Sequence, residues 1–140
     1  MDDIYSSLNV QRAIKPVAIG TTGTGQTGKV IDRKGYIGPV VFACHYGEIT
    51  ATAAVFTVTV KEGDATGSLT SAADIDLIGT EAGAGVAAAV RASGTTKNVV
   101  KKVGYKGAKR YCQVNIKSTS TAGTPIAADA IQRPASRPAS

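Results

Sequence analysis

Three side chains offer nucleophilic or metal chemistry: Cys44, its neighbour His45, and Cys112. A cysteine nucleophile needs a base that keeps it a thiolate, and an imidazole is the usual one. Residues 38–46 read as a strand, however, and adjacent side chains in a strand point to opposite faces. Cys44 and His45 therefore cannot bond to each other. Cys112 can meet His45 across strands, but no Asn, Asp or oxyanion donor is positioned beside them by the sequence. A zinc site wants four ligands, and these three lack the usual paired spacing. The cysteines read as buried structural residues.

A second group is phosphate-like in pattern. Gly23-Thr-Gly-Gln-Thr-Gly28-Lys29 matches the first seven places of a P-loop, but the eighth, which should carry a magnesium-binding hydroxyl, is Val30. Residues 30–39 then read as strand and turn, not the helix whose N-terminus would cradle phosphate. The segment reads as a glycine-rich β-connection. The carboxylates Asp64, Asp74, Asp76 and Glu81 lack the spacing and glycine of a calcium loop and read as a solvated acidic edge. Neither a cofactor nor a metal is expected.

The richest segment is residues 97–110, where Lys97, Lys101, Lys102, Lys106, Lys109 and Arg110 surround Tyr105, with Tyr111 next in line. Basic groups with aromatics are the composition of nucleic-acid surfaces, in which cations neutralise phosphate and rings stack on bases. Residues 105–110 equally suit a hairpin, with Gly107 permitting the turn and long basic stems keeping an edge strand soluble. Arg110 shares a face with Cys112, Val114 and Ile116, so it is expected partly buried and paired with a carboxylate. Contact with an acidic protein partner and plain solvation both fit this segment better than nucleic acid does.

These residues need a scaffold, and the composition limits it. In 140 residues there are 16 Lys+Arg against 10 Asp+Glu, a net charge of +6, with 5% aromatics and no Trp. That length fits one domain whose core is built from Val, Ile, Ala and Leu. No run of about 18 apolar residues is present to make a membrane span. The acidic start, Met1-Asp2-Asp3, leads into no apolar stretch of the kind a signal peptide carries. Two cysteines cannot form a disulfide framework. The charge is split along the chain: residues 1–90 carry six basic and nine acidic side chains, net −3, and residues 91–140 carry ten basic and one acidic, net +9. Such a bipolar chain suits contact with copies of itself or with a charged lattice.

Strict alternation marks residues 50–60 and 109–117 as half-buried strands, rich in Val, Thr and Ile. Residues 38–46 read as a more fully buried strand, and 15–19, 29–32, 86–90, 98–103 and 125–131 as shorter ones. Turn signals separate them at residues 33–35, 62–64, 93–94 and 106–107. Residues 71–78 offer an N-cap Ser71 and one or two helical turns ended by Gly79. The expected fold is mostly β, a small antiparallel β-sandwich or barrel with at most one short helix and extended termini. Residues 1–14 read as an N-terminal arm, 15–131 as the β-domain, and 132–140 as an extended or disordered tail. That tail holds a tandem repeat, Arg133-Pro-Ala-Ser136 and Arg137-Pro-Ala-Ser140.

Val103-Gly-Tyr-Lys-Gly-Ala-Lys-Arg-Tyr111, with alternating apolar residues after it, resembles a family of small tailed-bacteriophage proteins encoded beside the major capsid protein. These are read as capsid decoration, or cement, proteins. Residues 74–80 and the strand ending at Val60 resemble the same family, and the likeness spans residues 38–131. The family pattern carries a basic residue two places after Tyr111, where this chain has Gln113. The resemblance implies a non-enzymatic virion protein, made in the host cytoplasm, that binds the outside of the capsid as a homotrimer. Its partners would be the major capsid protein and itself, with no membrane involved. Lys101, Lys102, Tyr105, Lys106, Lys109, Arg110, Arg133 and Arg137 are the candidate contact residues. A head–tail connector or tail component, and a nucleic-acid module using residues 97–110, are the alternatives.

Overall fold

The computed structural model describes residues 4–19, 25–47, 55–85, 99–118 and 124–134. The chain opens with a helical turn, α1 (Ile4–Ser7), and continues into β1 (Asn9–Ile19), β2 (Gln26–Thr27), β3 (Ile31–Asp32) and β4 (Tyr36–Tyr46). It then forms β5 (Phe56–Gly63), β6 (Thr70–Ser71), β7 (Leu77–Ile78), the turn α2 (Glu81–Ala84), β8 (Val99–Tyr105), β9 (Tyr111–Ser118) and β10 (Thr124–Pro134). Two antiparallel sheets result. Sheet I has the order β1-β10-β4-β8-β7, and sheet II the order β2-β9-β5-β6 with β3 also on β9. Among the described residues the protein is mostly β, a sandwich-like pair of sheets without closure into a barrel.

Alternation explains the core. In β4, Val40, Phe42, Cys44 and Tyr46 are buried while Val41, Ala43 and His45 between them are not. Phe56, Val58 and Val60 of β5 and Cys112, Val114 and Ile116 of β9 face them from sheet II, all at most 2% exposed. Each such aliphatic or aromatic side chain stabilises the fold by roughly 1.5–3 kcal/mol when removed from water. With few aromatics available, Tyr46 and Phe56 meet in the middle with ring centroids 5.4 Å apart, and the Tyr46 hydroxyl donates to the Ala84 carbonyl.

The sequence expectations for β4, β5, β9 and β10 meet strands in the structure. Several others need correction. Residues 9–14, read as an arm, lie within β1, where Ala13 and Ile14 are buried. Asn9 pairs with Gln132, so the first and last long strands are neighbours. Residues 132–134, read as tail, complete β10, and Gln132 is buried with its side chain bonded to Gln11 and to the Asp32 carbonyl. The helix expected over 71–78 is a 3-10 turn, Asp74–Asp76, between two short strands, and its cap is Ala73, not Ser71. The strand expected at 86–90 lies outside the described residues.

Residues 105–110 do not form a hairpin. Strand β8 belongs to sheet I and β9 to sheet II, so residues 106–110 cross from one layer to the other. The turn at residues 33–35 crosses likewise, from β3 in sheet II to β4 in sheet I. Because β4 pairs with β8 and β3 with β9, the two crossings lie side by side at one end of the sandwich.

Candidate functional site

The paired crossings hold four of the eight candidate contact residues, Tyr105, Lys106, Lys109 and Arg110. Arg33 is at the centre. Its backbone amide donates to the Arg110 carbonyl at 2.9 Å, and its Nη1 donates to the carbonyls of Gly107 and Lys109. Its guanidinium lies over the Tyr105 ring, 4.9 Å from the centroid, within cation–π range. Arg33 Nε is buried with no partner, a cost that the carbonyl acceptors and the ring must outweigh. Tyr105 is fully buried and donates its hydroxyl to Glu62 Oε2, while accepting from the Lys109 amide at 3.2 Å. Burial first, and Glu62 second, push the Tyr105 phenol well above its ordinary pKa.

Carboxylates from sheet II close the outside of this junction. Lys109 Nζ meets Asp64 Oδ2 at 2.9 Å, and Arg110 forms a two-pronged pair with Asp32 at 2.9 Å for both prongs. The Arg110 hydrogen bond, then the Lys34 amide, lower the Asp32 carboxyl from 3.8 to about 2. Lys109 lowers the Asp64 carboxyl, and Asp64 in turn raises Lys109. Arg110 is paired with a carboxylate as expected, but it is exposed, not partly buried, and its guanidinium also lies over Tyr111.

The other candidate contact residues are dispersed. Lys101 is half-buried on the inner side of β8, Lys102 is exposed on the outer side, and Lys106 is exposed within the crossing. Arg133 is exposed near the end of β10, and Arg137 lies outside the described residues. Tyr105 offers no ring face to a base. The function of Gly107 also differs from the one expected. Its φ is not positive, and a Cβ there would collide with the Tyr105 hydroxyl and ring, so glycine is required for clearance.

A second surface emerges only from strand register. On the outer face of sheet I, cross-strand pairing aligns Val10, Ile131, Val41, Gly104 and Ile78 in one row. The next row is Arg12, Asp129, Ala43 and Lys102, and the one after it Ala127, His45 and Val100. Val10, Val100 and Ile78 are 60%, 62% and 47% exposed. His45 Nε2 lies 3.0 Å from Asp129 Oδ2 on this face. A shallow hollow of about 320 Å³ continues it, lined by residues including Pro16, His45, Val100, Pro125 and Ala127. The outer face of sheet II is polar instead, with Thr57 opposite Lys117, Thr59 opposite Asn115 and Lys61 opposite Gln113.

The remaining motifs resolve through hydrogen bonding. The amides of Gly28 and Lys29 donate to the carbonyls of Val114 and Ala13 at 2.8 and 2.7 Å, so strand partners take the groups that a phosphate would need. A Cβ on Gly28 would meet the Val114 carbonyl at 2.6 Å, which accounts for that glycine. Burial pushes the thiols of Cys44 and Cys112 up to about 12, which keeps both protonated at neutral pH. His45 faces outward on sheet I, away from both. Glu81 accepts from the Val60 amide, and among the described residues no three His, Cys, Asp or Glu side chains gather as a metal site. No helix among the described residues is long and apolar enough to cross a membrane. In comparisons with known proteins, no family model, curated protein or solved structure matches the chain.

Proposed function

We propose that this chain is a virion structural protein, without enzymatic activity, that binds the outer surface of a tailed-phage capsid as a homotrimer and stabilises it. The observation that carries this reading is the pairing of β1 with β10. Strand β1 begins and β10 ends at one corner of the sandwich, where Tyr5, Leu8, Val10 and Ile37 are exposed. A rigid β-body whose two ends start from a shared apolar corner suits a clamp, in which terminal segments lie across neighbouring subunits. The segment that carries the family resemblance, 103–111, supports the same reading as a fold-defining junction. Its Tyr105 hydroxyl, Lys109 and Arg110 are directed at Glu62, Asp64 and Asp32 of the same chain.

The test is co-sedimentation of the purified protein with empty expanded shells of the capsid protein encoded by the same phage. Saturable binding, density at three-fold positions by electron microscopy and a raised shell melting temperature are expected. Shells that sediment without the protein would refute the proposal. Removing residues 135–140, which leaves β10 whole, should weaken retention on the shell while preserving the fold.

A further inference from the structure

The outer face of sheet I carries a symmetry set by its strand order and register. Strand β4 is the middle of its five strands, with β10 and β8 on either side and β1 and β7 outermost. If a second copy packs face to face about a two-fold axis running along β4, each residue on β10 meets the residue on β8 of the same row. Each residue on β1 likewise meets one on β7.

Under that operation Asp129 of one copy faces Lys102 of the other, and the pair occurs twice. Val100 faces Ala127, so in that row a larger side chain lies against a small one, while Ile131 faces the position of Gly104, which Ile78 of the same sheet covers. Val41 and His45 lie on the axis beside their own counterparts. Packed sheets rotate by about 30° relative to each other. That rotation separates the outermost pairs, Val10 with Ile78, more than the central ones. Lys102 has no ion-pair partner among the described residues, whereas Lys109 and Arg110 each have one. Every large apolar side chain exposed among the described residues belongs to sheet I or to the segments entering it: Tyr5, Leu8, Val10, Ile37, Ile75, Ile78 and Val100. The surface that matches this face in chemistry is therefore the same face on another molecule.

We infer that the outer face of sheet I is an isologous interface with a second copy of this chain, centred on β4 and held by reciprocal Asp129–Lys102 ion pairs around an apolar centre. The contact requires nothing of the capsid reading. It is distinct from a three-fold assembly and compatible with one, since trimers can also meet in pairs.

The charges make it testable by complementation. Lys102→Glu sets Glu against Asp129 in both pairs, and Asp129→Lys sets Lys against Lys102 in both. Neither variant should self-associate through this face. Mixed in equal amounts they restore two opposite-charge pairs, Asp129 with Lys102 and Glu with Lys. Light scattering behind size exclusion, across micromolar to millimolar concentrations, should give wild-type protein as an even multiple of the 14.2 kDa chain mass. Each single variant should show half the wild-type mass, and the mixture should return to it. Circular dichroism checks that each variant is folded. Val100→Asp, which keeps both Asp129 and Lys102, should also halve the mass if Asp129→Lys fails to fold. A wild-type monomer or trimer, a folded variant with unchanged mass, or two folded variants that do not complement would overturn the inference.

Discussion

The crossing junction and the outer face of sheet I both display exposed cations, yet they differ in where those charges are answered. At the junction, Lys109 and Arg110 reach Asp64 and Asp32 of the same chain, and the Tyr105 hydroxyl reaches Glu62. On the sheet face, Arg12 lies beside Asp129, which His45 already engages, Lys102 lies beyond Ala43 in the same row, and rows richer in apolar side chains lie above and below. A segment that looks like a contact surface by composition is thus an internal brace. A strand face that looks like half a core is the surface left open. The difference lies in register and topology, because both regions use the same residue types. If the two regions have these separate functions, substitutions in the first should change stability and leave association alone. Substitutions in the second should do the reverse.

Tyr105→Ala should be the most disruptive change. It empties a fully buried site, removes the ring beneath Arg33 and leaves Glu62 without its donor. The expected cost is about 3–5 kcal/mol, read from urea unfolding. A loss below about 1 kcal/mol would show that the junction is not a brace. Gly107→Ala should come next, at about 1–3 kcal/mol. Its new methyl group would overlap a ring that Glu62, Arg33 and the Lys109 amide hold in place. An alanine variant as stable as wild type would mean that the ring can move aside. Val100→Asp should shift stability by no more than about 0.5 kcal/mol, because the side chain is 62% exposed. Its effect belongs to association, so a large drop in the unfolding midpoint of dilute protein would merge the two regions again.

The same contrast explains what was legible in the sequence. Period-two alternation at residues 50–60 and 109–117 marks the strands β5 and β9, because burial on one face leaves a local pattern, and the apolar run of residues 38–46 marks β4, although only one of its faces is buried. Neighbour relations leave none. Gly107 beside two basic residues has the local composition of a hairpin, and only the presence of β8 and β9 in different sheets makes it a crossing. The role of Arg33 has no local signature, because its acceptors are backbone carbonyls 74 and 76 residues away, which no spacing rule encodes. The division into −3 and +9 suggested charges seeking a neighbouring molecule. Within the junction the acidic stretch instead answers the basic one inside a single chain. The pairing of Asp129 with Lys102 under a two-fold axis depends on sheet order, which no local pattern encodes.

The smallest expected effect tests whether the exposed ion pairs of the junction contribute to folding at all. Asp32 is held at about 2 in the folded protein, chiefly by Arg110, against 3.8 for an ordinary aspartate. A carboxyl lowered on folding binds its proton more readily in the unfolded chain. Its contribution is therefore complete above pH 3.8 and is lost as pH falls from there towards 2. With both side chains nearly half exposed, solvent screens the pair, so the contribution is modest. Urea midpoints at pH 5 and pH 2.5 should fall less for Asp32→Asn than for wild type. Asp32→Asn combined with Asp64→Asn should fall less again, since Asp64 is lowered by Lys109 in the same way. If both variants lose as much as wild type on acidification, the ion pairs only decorate the junction. Tyr105, Arg33 and Gly107 would then hold the two crossings together by packing and neutral hydrogen bonds, and the acid sensitivity of the fold would have to come from carboxylates elsewhere.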